Sequence, residues 1–143
     1  MTPGITPAAM AALVGVLVIH LAIATPAAAD PPYNGSAPLR CAIQTVMMCS
    51  DPNTCVRGAA QTANLPPVLT LDVGQRLVDG AVVGRMVKIS SVSRAGGRLL
   101  LQGEEVGTNG IAWDVVIVEA SGAMSGAVLS HGGGMLMFGA CSN

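Results

Sequence analysis

The stretch Met86-Val-Lys-Ile-Ser-Ser-Val-Ser-Arg-Ala-Gly-Gly-Arg-Leu-Leu-Leu-Gln102 carries the plainest structural signal in the chain. Two extended runs, Met86 to Ser93 and Leu99 to Gln102, flank Arg94-Ala95-Gly96-Gly97. Paired glycines supply the positive φ that a tight hairpin turn demands, and they sit between segments rich in β-branched and aliphatic residues. The same pattern continues downstream. Ile111 to Glu119 follows the turn sequence Gly107-Thr108-Asn109-Gly110, and its alternation puts Ile111, Trp113, Val115 and Ile117 on one face. Ala120-Ser121-Gly122 turns this run into Ala123 to Ser130, and His131-Gly132-Gly133-Gly134 leads into Met135 to Cys141. Upstream, Val68 to Val73 alternates, with Leu69, Leu71 and Val73 opposed to Thr70 and Asp72. Leu77-Val78 precedes Asp79-Gly80, a dipeptide suited to a tight hairpin. Leu39 to Met48 and Cys55 to about Thr62 complete the set, and Leu65-Pro66-Pro67 breaks the second of these. The spacing predicts an all-β fold, an antiparallel meander of about eight short strands curled into a small barrel or half-barrel.

Four cysteines, Cys41, Cys49, Cys55 and Cys141, fall within this β region. An even count in a small domain reads as two disulfides, because small cores need covalent staples and oxidising compartments favour the bridge. Zinc sites usually show paired, closely spaced cysteines, unlike the spacing here. An extended Leu39–Met48 run rising ~3.3 Å per residue holds Cys41 and Cys49 more than ~20 Å apart. A disulfide tolerates Cα separations of about 7 Å at most, which removes that pairing. Ser50-Asp51-Pro52-Asn53-Thr54 is a strong turn sequence and favours Cys49 with Cys55, leaving Cys41 with Cys141 to tie the first strand to the last.

The segment before the β region has a different character. Ala8 to Ala24 is almost wholly apolar, and Thr25-Pro26-Ala27-Ala28-Ala29-Asp30 follows it. An apolar run ending in alternate small residues is the layout of a secretory signal peptide, with the cut placed near Ala29. Met1 to Pro7 lacks the usual Lys or Arg, so a retained membrane anchor is the alternative. Against it, the run falls short of the ~20 residues that span a bilayer, and it contains His20. The expected organisation is a leader over 1–29, a flexible Pro/Gly/Ser-rich lead-in over 30–38, and one domain over 39–143. The expected location is the periplasm or the exterior, with membrane contact only through an uncleaved leader.

All 7 basic and 8 acidic residues lie from Asp30 onward, and the formal net charge is -1. Such a balance exerts no long-range pull on phosphate backbones, which argues against nucleic acid as a partner. Tyr33, Trp113 and Phe138 are the only aromatics. Single-strand nucleic-acid binders and sugar-binding modules need stacking platforms that three aromatics scarcely provide.

No constellation of catalytic, cofactor-binding or metal-binding residues stands out. His131 is the only histidine beyond the leader, so a hydrolytic triad would need it, with Ser125 or Ser130 and an acid such as Asp114. Gly122-Ala-Met-Ser125-Gly126 misses the G-x-S-x-G elbow by one residue. Gly132-Gly133-Gly134 lacks the Lys-Ser/Thr pair and helix of a phosphate loop and reads as a turn. Glu104 and Glu105 point to opposite faces of an extended chain and read as a solvated strand end. Met47, Met135 and Met137 could share a face and bind Cu(I), but methionines at strand positions more often fill cores.

The cysteine-bearing first strand, the C-x5-C turn, Leu65-Pro66 before Val68-Leu69-Thr70-Leu71-Asp72, Trp113 and the ending Phe138-Gly139-Ala140-Cys141 together resemble small exported proteobacterial proteins of unknown function. That resemblance spans most of the region after the leader and implies a disulfide-bonded β-meander without bringing an activity. Small barrels of the periplasmic lysozyme-inhibitor type are similar in size and disulfide use, an analogy of architecture alone. The expected role is that of a non-enzymatic, monomeric binding module for an envelope protein or a small apolar ligand, without a cofactor. A small hydrolase using His131 with a serine and a passive envelope-stability protein are the alternatives. Mass spectrometry of the exported protein is expected to find Asp30, or a residue within two of it, at the mature N-terminus. A retained Met1 would favour the anchor.

Overall fold

The computed structural model describes residues 29–80, 86–106 and 110–143. The leader up to residue 28, the far side of the Asp79-Gly80 turn and most of the Gly107–Gly110 turn lie outside the described residues. Nine strands form one antiparallel sheet: β1 (Leu39–Asp51), β2 (Thr54–Gly58), β3 (Val68–Asp72), β4 (Leu77–Asp79), β5 (Met86–Ala95), β6 (Arg98–Val106), β7 (Ala112–Val118), β8 (Ala123–Ser130) and β9 (Gly133–Ser142). From β3 onward each strand pairs with the next, and β9 returns to pair with β1, which itself pairs with β3. Eight strands thereby close into a barrel, and β2 is an additional strand on the outlying half of β1.

This addition is where the fold departs from a simple meander. β1 is 13 residues long and changes partner along its length. Leu39 to Ala42 pair with β3, whereas Val46 to Asp51 pair with β2. The expected strand from Cys55 to Thr62 stops at Gly58, and Ala60–Ala63 form a turn of 3-10 helix instead. The Thr62 hydroxyl donates to the Ala59 carbonyl at 2.6 Å, and Asn64 ends the turn in the left-handed region at φ 55°. A short polar side chain that bonds the nearby backbone competes with the sheet ladder at this point. Pro66 and Pro67 cannot donate to a ladder, but the Pro67 carbonyl accepts the Ile43 N–H at 2.9 Å, so the segment is pinned beside β1.

Both disulfides join directly opposed residues. Cys41 faces Cys141 across β1 and β9 with Cα atoms 3.9 Å apart, and Cys49 faces Cys55 across β1 and β2 at 4.1 Å. The Cys141 N–H turns away from β1 and donates to the Gly122 carbonyl at 2.8 Å. Cys41 and Cys141 are therefore a non-hydrogen-bonded antiparallel pair, the closer of the two kinds, where side chains can be bridged.

The inner face follows the period of two wherever the ladder is regular. Leu69 and Leu71 of β3, Leu99 and Leu101 of β6, and Val115 and Ile117 of β7 are buried as the alternation requires. In β1 the pairing with β9 slips between Ile43 and Thr45, so Gln44 is an extra residue. The bulge changes the parity: Leu39, Cys41 and Ile43 point inward before it, and Val46 does so after it. A second slip at Ser90 in β5 likewise moves the inward role from Ile89 to Val92.

One end of the barrel is shut by the segment preceding β1. The Tyr33 N–H donates to the Glu119 carbonyl at 3.1 Å, an Arg94 guanidinium N–H donates to the Asn34 carbonyl, and the Asn143 side-chain amide donates to the Pro32 carbonyl at 2.9 Å. Arg94 Nε lies 3.2 Å from Glu119 Oε1. Composition suggests a flexible lead-in over 30–38, but this part of it is tied to the barrel by hydrogen bonds that local sequence does not announce. The ion pair joins the basic middle of the chain to a later acid, and Lys88 likewise stands opposite Glu104 across β5 and β6.

The two disulfides close loops of very different length, with sequence separations of 100 and 6. In the chain-entropy picture, replacing Cys41 and Cys141 by Ala is expected to cost about 5 kcal/mol, against about 2 kcal/mol for the Cys49–Cys55 pair. Urea unfolding of the two double variants checks this, and equal losses would contradict the assigned role of Cys41–Cys141 as the main closure.

Candidate functional site

At the end of the barrel away from Tyr33 the inner side chains do not fill the interior, and a cavity of about 230 Å³ remains between them. Leu69 and Leu71, Val78 of β4 and Val87 of β5 form one side. Trp113, Val128 and Ser130, with Met135 and Met137 of β9, form the other. Ala63 to Pro66, the segment that follows the 3-10 turn, supplies a wall. That wall is anchored where the Leu65 N–H donates to the Ala60 carbonyl at 3.0 Å, and Ala60 is itself buried. A single segment that fails to become strand thus caps the mouth.

Trp113 is placed by Gly103. The two residues oppose each other across β6 and β7, and a Cβ at position 103 would lie 2.5 Å from the indole Cζ2 and in contact with the Lys88 carbonyl. The ring can lie across β6 only because no side chain stands there. Its Nε1 is buried and has no hydrogen-bond partner. Glu105, two residues along the same inner face, is only 9% exposed and lines the cavity. Its backbone N–H donates to the Ile111 carbonyl at 3.1 Å, continuing the β6–β7 ladder past the last paired residues.

The reading of Glu104-Glu105 as a solvated strand end therefore holds for Glu104 and fails for Glu105. Opposite faces at the end of a barrel strand are solvent and cavity, rather than two solvated sides. Alternation along Leu99, Leu101, Gly103 and Glu105 is the sequence signal that could have placed this carboxyl group inside.

The residues considered for hydrolysis are not assembled. His131 is exposed in the turn between β8 and β9, and the Ser130 hydroxyl donates to the Gly133 carbonyl at 3.4 Å. Ser125 is exposed near the far end of β8, a strand rise of roughly 20 Å from His131. Asp114 is exposed on β7, opposite Gln102 and Ala127. No hydrogen bond joins His131 to a serine or to Asp114 among the described residues. The turn itself is shorter than Gly132-Gly133-Gly134 suggests, since β9 begins at Gly133 and only Gly132 of the three has positive φ, at 82°.

No group of three or more His, Cys, Asp or Glu side chains suited to a metal occurs among the described residues. The methionine alignment also differs from expectation. The Gln44 bulge sets Met47 opposite Leu136, while Met48 faces Met135 and Val46 faces Met137. Met47 consequently does not share a face with Met135 and Met137.

Barrel and cavity together define a small disulfide-closed antiparallel β-barrel with an apolar chamber at one end. Compared with known proteins, the chain matches no family model, and no curated protein or solved structure matches it. The resemblance to small exported proteobacterial proteins rests on the motif residues alone.

Gly103→Ala is expected to cost more than about 2 kcal/mol, because both the Lys88 carbonyl and the Trp113 ring occupy the space a methyl group needs. Since Trp113 is the only tryptophan, its emission should shift toward the red as the ring is expelled. An unshifted spectrum with unchanged stability would refute the placement of Trp113 by Gly103.

Proposed function

We propose that this chain is an exported, non-enzymatic β-barrel that holds a small apolar ligand in the chamber at the Trp113 end. The cavity is the observation that carries the reading. A site of this kind, mostly aliphatic with one aromatic ring and a few polar groups, is how small-molecule binders are built. An apolar cavity of about 150 Å³ accepts benzene, so about 230 Å³ suits a molecule of about nine non-hydrogen atoms. Two disulfides support folding in an oxidising compartment, consistent with release to the periplasm or the exterior. Exposed Leu129, Leu136 and Phe138 on the outer faces of the adjacent strands β8 and β9 favour a second reading, in which a protein partner covers that face.

Calorimetric titration of the disulfide-bonded protein with methylenecyclooctane, an uncharged hydrocarbon of about the right size, tests the first reading. The wild type is expected to bind and to gain thermal stability in proportion to occupancy. Val128→Phe, which places a ring in the chamber, is expected to abolish binding while the protein still melts cooperatively. Absence of binding to the wild type by both this hydrocarbon and its ketone isostere cyclooctanone, or unchanged binding by Val128→Phe, would overturn the reading.

A further inference from the structure

The chamber holds an unsatisfied donor. Trp113 lines the cavity, and its Nε1 is buried without an acceptor among protein atoms. An indole nitrogen donates and cannot accept. Leaving a buried donor unpaired carries its full desolvation cost, which is why such groups are rare and call for a partner. The other polar side chains on the lining are differently placed. The Ser130 hydroxyl already donates to the Gly133 carbonyl, Asn64 is exposed at the wall, and Glu105 is buried on the lining and has a partner of its own. None of the described lining residues is Lys or Arg, so an anionic ligand would have no counter-charge there. Where a water takes the indole proton, a ligand that displaces it must offer an acceptor to keep that hydrogen bond.

We infer that the ligand of this cavity is an uncharged, largely apolar molecule bearing an acceptor oxygen, such as a ketone, aldehyde or ester carbonyl, which accepts the Trp113 indole N–H. The inference rests on the cavity reading and narrows its ligand class. Shape selection by the chamber is weak for compact molecules, so the indole N–H supplies orientation. A carbonyl on the ligand keeps its hydrogen bond on leaving water, whereas an isosteric hydrocarbon leaves the indole donor unpaired.

Cyclooctanone and methylenecyclooctane differ only in exchanging a carbonyl oxygen for a methylene group and form the test pair. Trp113→Phe retains an aromatic ring and removes the donor. Calorimetry is expected to show cyclooctanone binding weakened about fivefold or more by Trp113→Phe, with methylenecyclooctane binding changed by less than about twofold. Equal weakening of both probes would overturn the inference. The wild type gives a second measurement that does not depend on the variant folding. Its single indole N–H resonance is expected to move downfield on saturation with cyclooctanone and not with methylenecyclooctane. The same displacement with both probes would overturn the inference while leaving the cavity reading intact. Failure of both probes to bind the wild type would instead remove the cavity reading itself.

Discussion

Everything in this barrel depends on β1 meeting β9. A sheet of short strands has two edges, and an exposed edge is a row of unpaired backbone donors and acceptors. Here the edges are the first and last strands of the barrel, so pairing them removes both at once. The contact is reinforced where Cys41 opposes Cys141 with their backbone hydrogen bonds directed away from each other. Closure across 100 residues carries a large chain-entropy cost, and a covalent tie at that place limits what the unfolded chain can regain. With closure in place, every inner position acquires neighbours on both sides. The buried set of Leu39, Leu71, Leu99, Leu101 and Ile117 then packs as one core.

Closure also sets the inner dimensions. A barrel of eight strands encloses a space that side chains can just fill, so whether a chamber exists depends on residue size along the inner face. Toward the Tyr33 end, leucines, isoleucine, methionine and the disulfide fill it. Toward the other end, β6 offers Gly103 and then Glu105, β8 offers Val128 and Ser130, and β4 and β5 offer Val78 and Val87. Trp113 recovers part of the space by lying across Gly103, and the cavity is what remains. The bulges at Gln44 and Ser90 matter for the same reason. Each reverses the inside–outside parity of its strand, and without the first of them Met47 rather than Met48 would face Met135.

Much of this was legible in the residues. Alternation and turn chemistry marked the strands, and Gly96-Gly97 marked the central hairpin, with both glycines at positive φ. The cysteine pairing followed from the reach of an extended chain and from the turn at Asp51, whose side chain accepts the Asn53 N–H at 2.8 Å. That hydrogen bond, together with one involving the Thr54 side chain, holds the Asp51 carboxyl below its ordinary value. The partner change along β1 was not legible, because a run such as Cys55 to Thr62 carries strand-like residues whether or not a neighbour is present to pair with them. Nor was the cavity, which is defined by side chains from seven strands and a wall of irregular backbone. Glu105 shows the gap most clearly: alternation through Leu99, Leu101 and Gly103 aims it at the inner face, but only the closed barrel makes that face an interior at the strand's end.

On the proposed reading, stability and binding belong to different ends of the barrel. The closed end carries the long-range disulfide, the fully buried leucines, and the Arg94–Glu119 pair beneath the Tyr33 segment. Gly122 belongs to the same end: its φ of 73° and the approach of the Tyr33 ring leave no place for a side chain. Because that half holds the barrel together, the other half can be underpacked at a cost the fold tolerates. An underpacked half with an unpaired indole N–H is unfavourable in isolation, since cavities and unsatisfied donors both destabilise. The same two defects are relieved together by one small molecule that fills the space and accepts the proton. On that reading, a vacancy and an unpaired donor brought together at one end are the physical form that a preorganised binding site takes.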